Sequence, residues 1–247
     1  FDIKCRKAGL TPHAAVVVAT ARALKMHGGV KKEDLANENL DALQKGLDNL
    51  SRHVGNVKSF GVPAVVAINR FVTDSDAEIN MIRDRCAEQG VKAIDCTHWA
   101  NGGAGTEELA HKVVELAEGN DGSSFKHLYE DDMPLWDKIE TIAQKIYGAR
   151  EIVADQKIRV QIRDLEKDGA RKFPICVAKT QYSFSTDPNL KNAPSDHVVQ
   201  IKEVRLANGA EFLVVVCGDI MTMPGLPRVP AAHDIKVDEK GNITGLF

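Results

Sequence analysis

The sequence predicts an α/β fold: a parallel sheet flanked by helices over residues 1–120, then a smaller α+β region over 121–247 with mixed or antiparallel strands. Three observations carry this. The β-branched runs at 14–19 (AAVVVA) and 62–69 (VPAVVAIN) are apolar on both faces, as central parallel strands between helices are. Helical patterns separate them, and alternating strands and helices define a parallel layer. A polar, Gly-rich stretch at 119–124 (GNDGSS) then ends the alternation and marks the boundary.

Each element follows from local pattern. Residues 40–57 carry Leu40, Leu43, Leu47, Leu50, Val54 and Val57 at steps of three and four, one apolar helical stripe. Residues 74–88 open with Asp and Ser cap signals and place Ile79, Ile82 and Cys86 on one face. A weaker strand signal lies at 91–96, and a helix at 106–117. Past the boundary come helices at 134–147 and 155–167, then strands at 175–179, 198–206 and 211–217. The last two are joined by Ala207-Asn208-Gly209, whose Asn-Gly is a hairpin signal. A further hairpin pattern centres on 238–242.

Composition narrows the function classes. Hydrophobic residues make up 43% and charged residues 27%, which fits a soluble, well-cored globular chain, and five cysteines without a pairing pattern fit a reducing, cytoplasmic compartment. The net charge of −3, with no basic block, argues against nucleic acid as a partner. No apolar run approaches the ~20 residues of a membrane-spanning helix. The five cysteines form no CxxC pair and the eight histidines no HxxxH pair, so neither a disulfide framework nor a metal site is expected. The chain opens without Met, in mid-pattern, and reads as part of something longer.

Four segments could carry chemistry. The strand ending at Asn69 delivers Arg70, Phe71, Thr73 and Asp74 to the carboxyl end of the sheet, where open α/β sheets bind ligands. Asn69 offers a donor and an acceptor, and Phe71 a flat surface. The plainer alternative makes Phe71 a core plug and Thr73 and Asp74 caps of the next helix. His98 to Gly105 places Trp99 beside Gly102 and Gly103, which let backbone approach a ligand, or form an ordinary loop. Lys179 ends a strand and could meet a phosphate or carboxylate as a point charge, or lie solvated. Pro224, Pro227 and Pro230, spaced by three, stiffen the stretch 218–230 into an extended strap.

Taken in order, these segments resemble the formate–tetrahydrofolate ligases (10-formyltetrahydrofolate synthetases). The resemblance rests on VATARALKMHGG (18–29), VVAINRFVTDSDAE (65–78), the 99–105 loop, AKTQYSFSTDP (178–188), GDIMTMPGLPRVPAA (218–232) and GNITGLF (241–247). It implies a P-loop-type α/β domain with added smaller parts, ATP-dependent joining of formate to tetrahydrofolate through formyl phosphate, use of Mg²⁺ and a monovalent cation such as potassium, and a homotetramer. It also implies that Phe71 and Trp99 sandwich the pteridine ring, with Asn69, Gly102 and Gly103 lining that pocket or the neighbouring nucleotide. The family's phosphate loop is absent from these 247 residues, which contain no G-x-x-x-x-G-K-[ST]. The expectation is therefore the carboxyl-terminal part of such a ligase, inactive without its amino-terminal part: a truncated form, a proteolytic product or a separately encoded subunit. A non-catalytic folate-binding or assembly fragment is the alternative. A GTPase-like reading of the Asn69 loop fails for want of Asn-Lys-x-Asp.

Overall fold

The computed structural model describes residues 1–220 and 228–245. Two sheets dominate, each with its own apolar core.

The first sheet is parallel, in the order β1 (Ala15–Ala19), β2 (Ala64–Asn69), β3 (Ala93–Cys96). The predicted strands are present, each a little shorter than its apolar run. β2 is buried along Val65–Ile68, as a central strand should be. β1 departs from expectation. Among the described residues only β2 pairs with it, and Val16 and Val18 are exposed at 42% and 66%, so it is apolar on both faces but covered on one. A continuous apolar run thus identified a strand but not its burial.

Helices α2 (Ala21–His27), α3 (Leu40–Ser59), α4 (Asp76–Glu88), α5 (His98–Asn101) and α6 (Glu107–Glu118) accompany this sheet, whereas α1 (Lys4–Ala8) is tied to the second half, Arg6 pairing with Asp131 and lying over the Tyr129 ring. Helix α3 starts where Asn39 Oδ1 accepts the Ala42 N–H (2.9 Å). Its stripe of Leu43, Leu47, Leu50 and Val54 is buried. Helices α2 and α3 meet backbone to backbone. A Cβ on Gly46 would lie 1.8 Å from Leu24 O, and one on Gly28 would lie 1.8 Å from Ala42 O. Helix α4 is capped by a reciprocal Ser75–Glu78 box, not by Thr73 or Asp74.

Inside this layer lies a fully buried ion pair. Lys25 Nζ of α2 is 2.7 Å from Glu78 Oε1 of α4, and neither side chain is exposed. Lys25 also donates to Asn37 O (2.8 Å), while Glu78 accepts from Asn39 N–H (3.2 Å) and Ser75 N–H (3.2 Å). The charges are therefore both paired and hydrogen-bonded, the condition under which burial is tolerated.

The second sheet is mixed, ordered β4 (Glu151–Ala154), β6 (Val198–Ala207), β7 (Phe212–Cys217), β5 (Ile175–Ala178). The predicted β6–β7 hairpin is antiparallel, and parallel pairs flank it. Helices α7 (Leu135–Lys145) and α8 (Gln156–Lys167) bury Ile139, Ile142, Ile158 and Ile162 against it. Strand β4 has no counterpart in the sequence reading. A short antiparallel pair, β8 (Lys236–Val237) with β9 (Ile243–Thr244), forms the hairpin expected around 238–242. The middle of the proline strap, 221–227, lies outside the described residues. No helix among the described residues is long and apolar enough to cross a membrane.

The two cores are joined through α3. Asn49 donates two hydrogen bonds to Asn192, from its N–H to Oδ1 and from Nδ2 to the backbone O (2.8 Å each), Arg52 donates to Tyr147 O (3.1 Å) and Ala193 O (3.3 Å), and Asn56 donates to Ile146 O (3.0 Å).

Lys25→Met leaves the Glu78 carboxylate buried without its ammonium and is expected to cost about 3–5 kcal/mol in urea unfolding. Lys25→Met with Glu78→Gln removes both charges and keeps an amide in the capping box, so the double variant should lose less than the single one.

Candidate functional site

The register of the first sheet builds one site at its carboxyl edge. Ala19 pairs with Ile68, and Asn69 with Cys96, so the three strands end side by side. Each then gives up one large side chain within a few residues: Arg22 from the first turn of α2, Phe71 from the loop after β2, and Trp99 from α5 after β3.

The Phe71 loop is held from within. Asp74, buried at 4% exposure, accepts the Phe71 N–H through Oδ2 (2.9 Å), and Asp74 N–H donates to Phe71 O (3.0 Å). This places Asp74 in the loop's own support rather than at the helix cap expected for it. Thr73 accepts from Arg22 Nη2 (3.1 Å). The Arg22 guanidinium then lies over Phe71, 4.2 Å from the ring centroid. Phe71 is 37% exposed, which excludes the core-plug alternative. Arg70 is paired with Asp76 (2.6 Å) and Asp95 (3.5 Å); its hydrogen bond to Asp76 raises its pKa further.

The Trp99 loop closes on itself. Thr97 N–H donates to Gly105 O (3.0 Å) and Asn101 Nδ2 to Thr97 Oγ1 (2.9 Å). A Cβ on Gly105 would come within 2.6 Å of Thr97 C, so this closure requires glycine there. Gly102 turns the chain at φ +57°. Trp99 itself is 88% exposed.

Phe71 and Trp99 face one cleft of about 300 Å³, lined also by Arg70, Val72, Thr97 and Ala100. Asn69 ends β2 beneath this edge, and Gly102 and Gly103 continue the Trp99 loop; none of the three lines the cleft itself. Among the described residues, no three His, Cys, Asp or Glu side chains converge as metal ligands.

Lys179 belongs to a different place. It lines a cavity of about 150 Å³ where the loop after β5 meets α2 and α3. Its Nζ donates to Ser183 O and Thr180 O (3.3 Å) and lies 4.7 Å from the Tyr147 ring centroid. Burial lowers its pKa to about 8. His27 and His53 share the cavity, and sequence reading passed over both. They lie far from Lys179 in the chain, so no local spacing could announce the cluster.

The two aromatic side chains thus stand at the carboxyl edge of parallel strands, the place where open α/β sheets carry their ligand crevices. The family model described as formate--tetrahydrofolate ligase matches residues 1–247. Curated relatives of that name include proteins of Sinorhizobium fredii (62% identical), Granulibacter bethesdensis (60%) and Pelagibacter ubique (59%), each aligned over all of this chain. The chain belongs to the formate–tetrahydrofolate ligase family. It spans 43–44% of the length of these relatives.

Asp74→Ala releases the Phe71 N–H and is expected to cost about 1.5–3 kcal/mol in urea unfolding, the loss of a charge-assisted hydrogen bond. Trp99→Ala, at an exposed site, should stay within about 0.5 kcal/mol of the parent.

Proposed function

We propose that this chain supplies the folate-binding side of an ATP-dependent ligase that joins formate to tetrahydrofolate, giving 10-formyltetrahydrofolate, ADP and phosphate by way of formyl phosphate. The observation that carries this reading is the cleft between Phe71 and Trp99, in a chain of this family. A pteridine is planar, and stacking on each aromatic contributes about 1–3 kcal/mol by analogy with nucleic-acid bases. Arg22 occupies one face of Phe71, so the ligand takes the other and closes against Trp99. Asn69, which lies beneath the cleft rather than in its lining, is assigned to the neighbouring nucleotide. Gly102 and Gly103 let the Trp99 loop approach without side chains in the way.

These residues bind and orient; none is assigned a step of acyl or phosphoryl transfer. The sequence holds no phosphate loop and the described residues no metal cluster, so ATP phosphates, Mg²⁺ and potassium are assigned to the remainder of the ligase polypeptide. The reading includes division of the chain at 120/121, a cytoplasmic setting and assembly as a homo-oligomer.

Tetrahydrofolate should quench tryptophan fluorescence saturably, with Trp136 as background. Trp99→Ala should abolish the response, and Phe71→Ala should weaken binding roughly five- to a hundredfold. Absence of any quenching would remove the stacking proposal. The isolated 247-residue chain should show no ATP- and formate-dependent synthesis of 10-formyltetrahydrofolate; detected synthesis overturns the assignment of the transfer chemistry to the rest of the polypeptide.

A further inference from the structure

The cavity at Lys179 is separate from the aromatic cleft and shares no lining residue with it. Four parts of the chain build it: His27 at the end of α2, Asn49 and His53 on α3, Tyr147 just past α7, and the 179–184 loop after β5.

Its chemistry is one-sided. Asn192 N–H donates to His27 Nδ1 (3.0 Å), which leaves that nitrogen unprotonated and makes Nε2–H a donor. Burial lowers the pKa of His27, and Lys191 lowers it further. His53 is lowered by burial, then by His27, Lys179 and Arg52. His197, nearby, is lowered by burial, then by Arg52 and Lys179. Every named charge acting on the first two is positive. No carboxylate is among the residues lining the cavity. Thr180 Oγ1 already accepts the Tyr182 N–H (3.3 Å), so its hydroxyl proton is free to donate elsewhere. Gln181, on the rim, adds an exposed amide.

Two imidazoles, His27 and His53, line the cavity together with Lys179. The Lys179 ammonium is half-buried, and its partners Thr180 O and Ser183 O are neutral carbonyls, so no counter-charge meets it within the cavity. At about 150 Å³ the cavity is well below the ~300–1,000 Å³ of sites that hold drug-sized ligands. It fits a small group, not a whole nucleotide.

We propose that this cavity is an oxyanion site, taking a carboxylate or phosphate group between Lys179 Nζ, His27 Nε2 and His53, with Thr180 and Gln181 at its mouth. The anion supplies the negative charge that the surrounding protein withholds.

The test is calorimetric titration of the chain with inorganic phosphate and, separately, with formate, alongside NMR of the His27 and His53 ring signals. Saturable binding of either, with shifts at both rings, is expected; the anion that binds distinguishes a phosphate group from a carboxylate. Lys179→Met should weaken binding about tenfold or more, as loss of a charge-assisted contact does. Should Lys179→Met fail to fold, Gln181→Glu places a negative charge at the exposed rim and should weaken binding while circular dichroism stays unchanged. Binding of neither anion, or binding that survives a folded Lys179→Met or Gln181→Glu, overturns the proposal. Neither outcome depends on folate, so failure here leaves the stacking reading standing.

Discussion

The buried pair between Lys25 and Glu78 sets the geometry on which the aromatic cleft depends. Its net contribution to stability is small in principle, because desolvation offsets most of the attraction. Its structural consequence is larger. Lys25 lies one helical turn after Arg22 on α2, so the two share a face. Glu78 is the third residue of α4 and part of the box that starts that helix immediately after the Phe71 loop. Fixing Lys25 against Glu78 therefore fixes Arg22 against Phe71 and Thr73. The same Glu78 holds Asn39 N–H, the start of α3, so three helices are referenced to one carboxylate.

Helix α3 carries that reference to the second sheet. Its apolar stripe is buried in the first core, and Gly46 lets α2 lie directly against it. The other side presents Asn49, Arg52, His53 and Asn56 at helical steps. In a sequence this side resembles a solvated face. Here Asn49, Arg52 and Asn56 satisfy backbone groups at 146–147 and 192–194, and His53 tilts against Phe184 with ring centroids 4.7 Å apart. A polar stripe opposite an apolar one is thus a joint between two cores. The Lys179 cavity forms at that joint.

The legible parts of the fold are those written in local periodicity. β2, α3, α4 and the β6–β7 hairpin each carry several residues in register with their element, and the structure departs by a few residues at their ends. Strand β4 escaped because four residues, Glu151–Ala154, give too short an alternation between two helices. Helix α2 is seven residues long and held mainly by its packing on α3, which propensity does not encode. The exposed side of β1 escaped because apolar composition reports what a strand can bury, not what covers it. For the site, spacing alone left Phe71 open between stacking and plugging a core. The family resemblance favoured stacking; the exposure of Phe71 removes the plug.

What remains of the cleft's design is energetic. Trp99 and Val72 stand 88% and 91% exposed on neighbouring loops, apolar area that contributes nothing to the fold while water covers it. The loops are nonetheless ordered from behind, by Asp74 under Phe71 and by the Thr97–Gly105 closure under Trp99. The cost of ordering is met in the free chain, so a flat ligand entering the cleft would gain burial without having to organise its walls. Arg22 sharpens this further. Its cation on one face of Phe71 draws on the ring's π-density, so the open face meets its ligand less electron-rich than a free phenyl would. Such a face stacks best on an electron-rich plane.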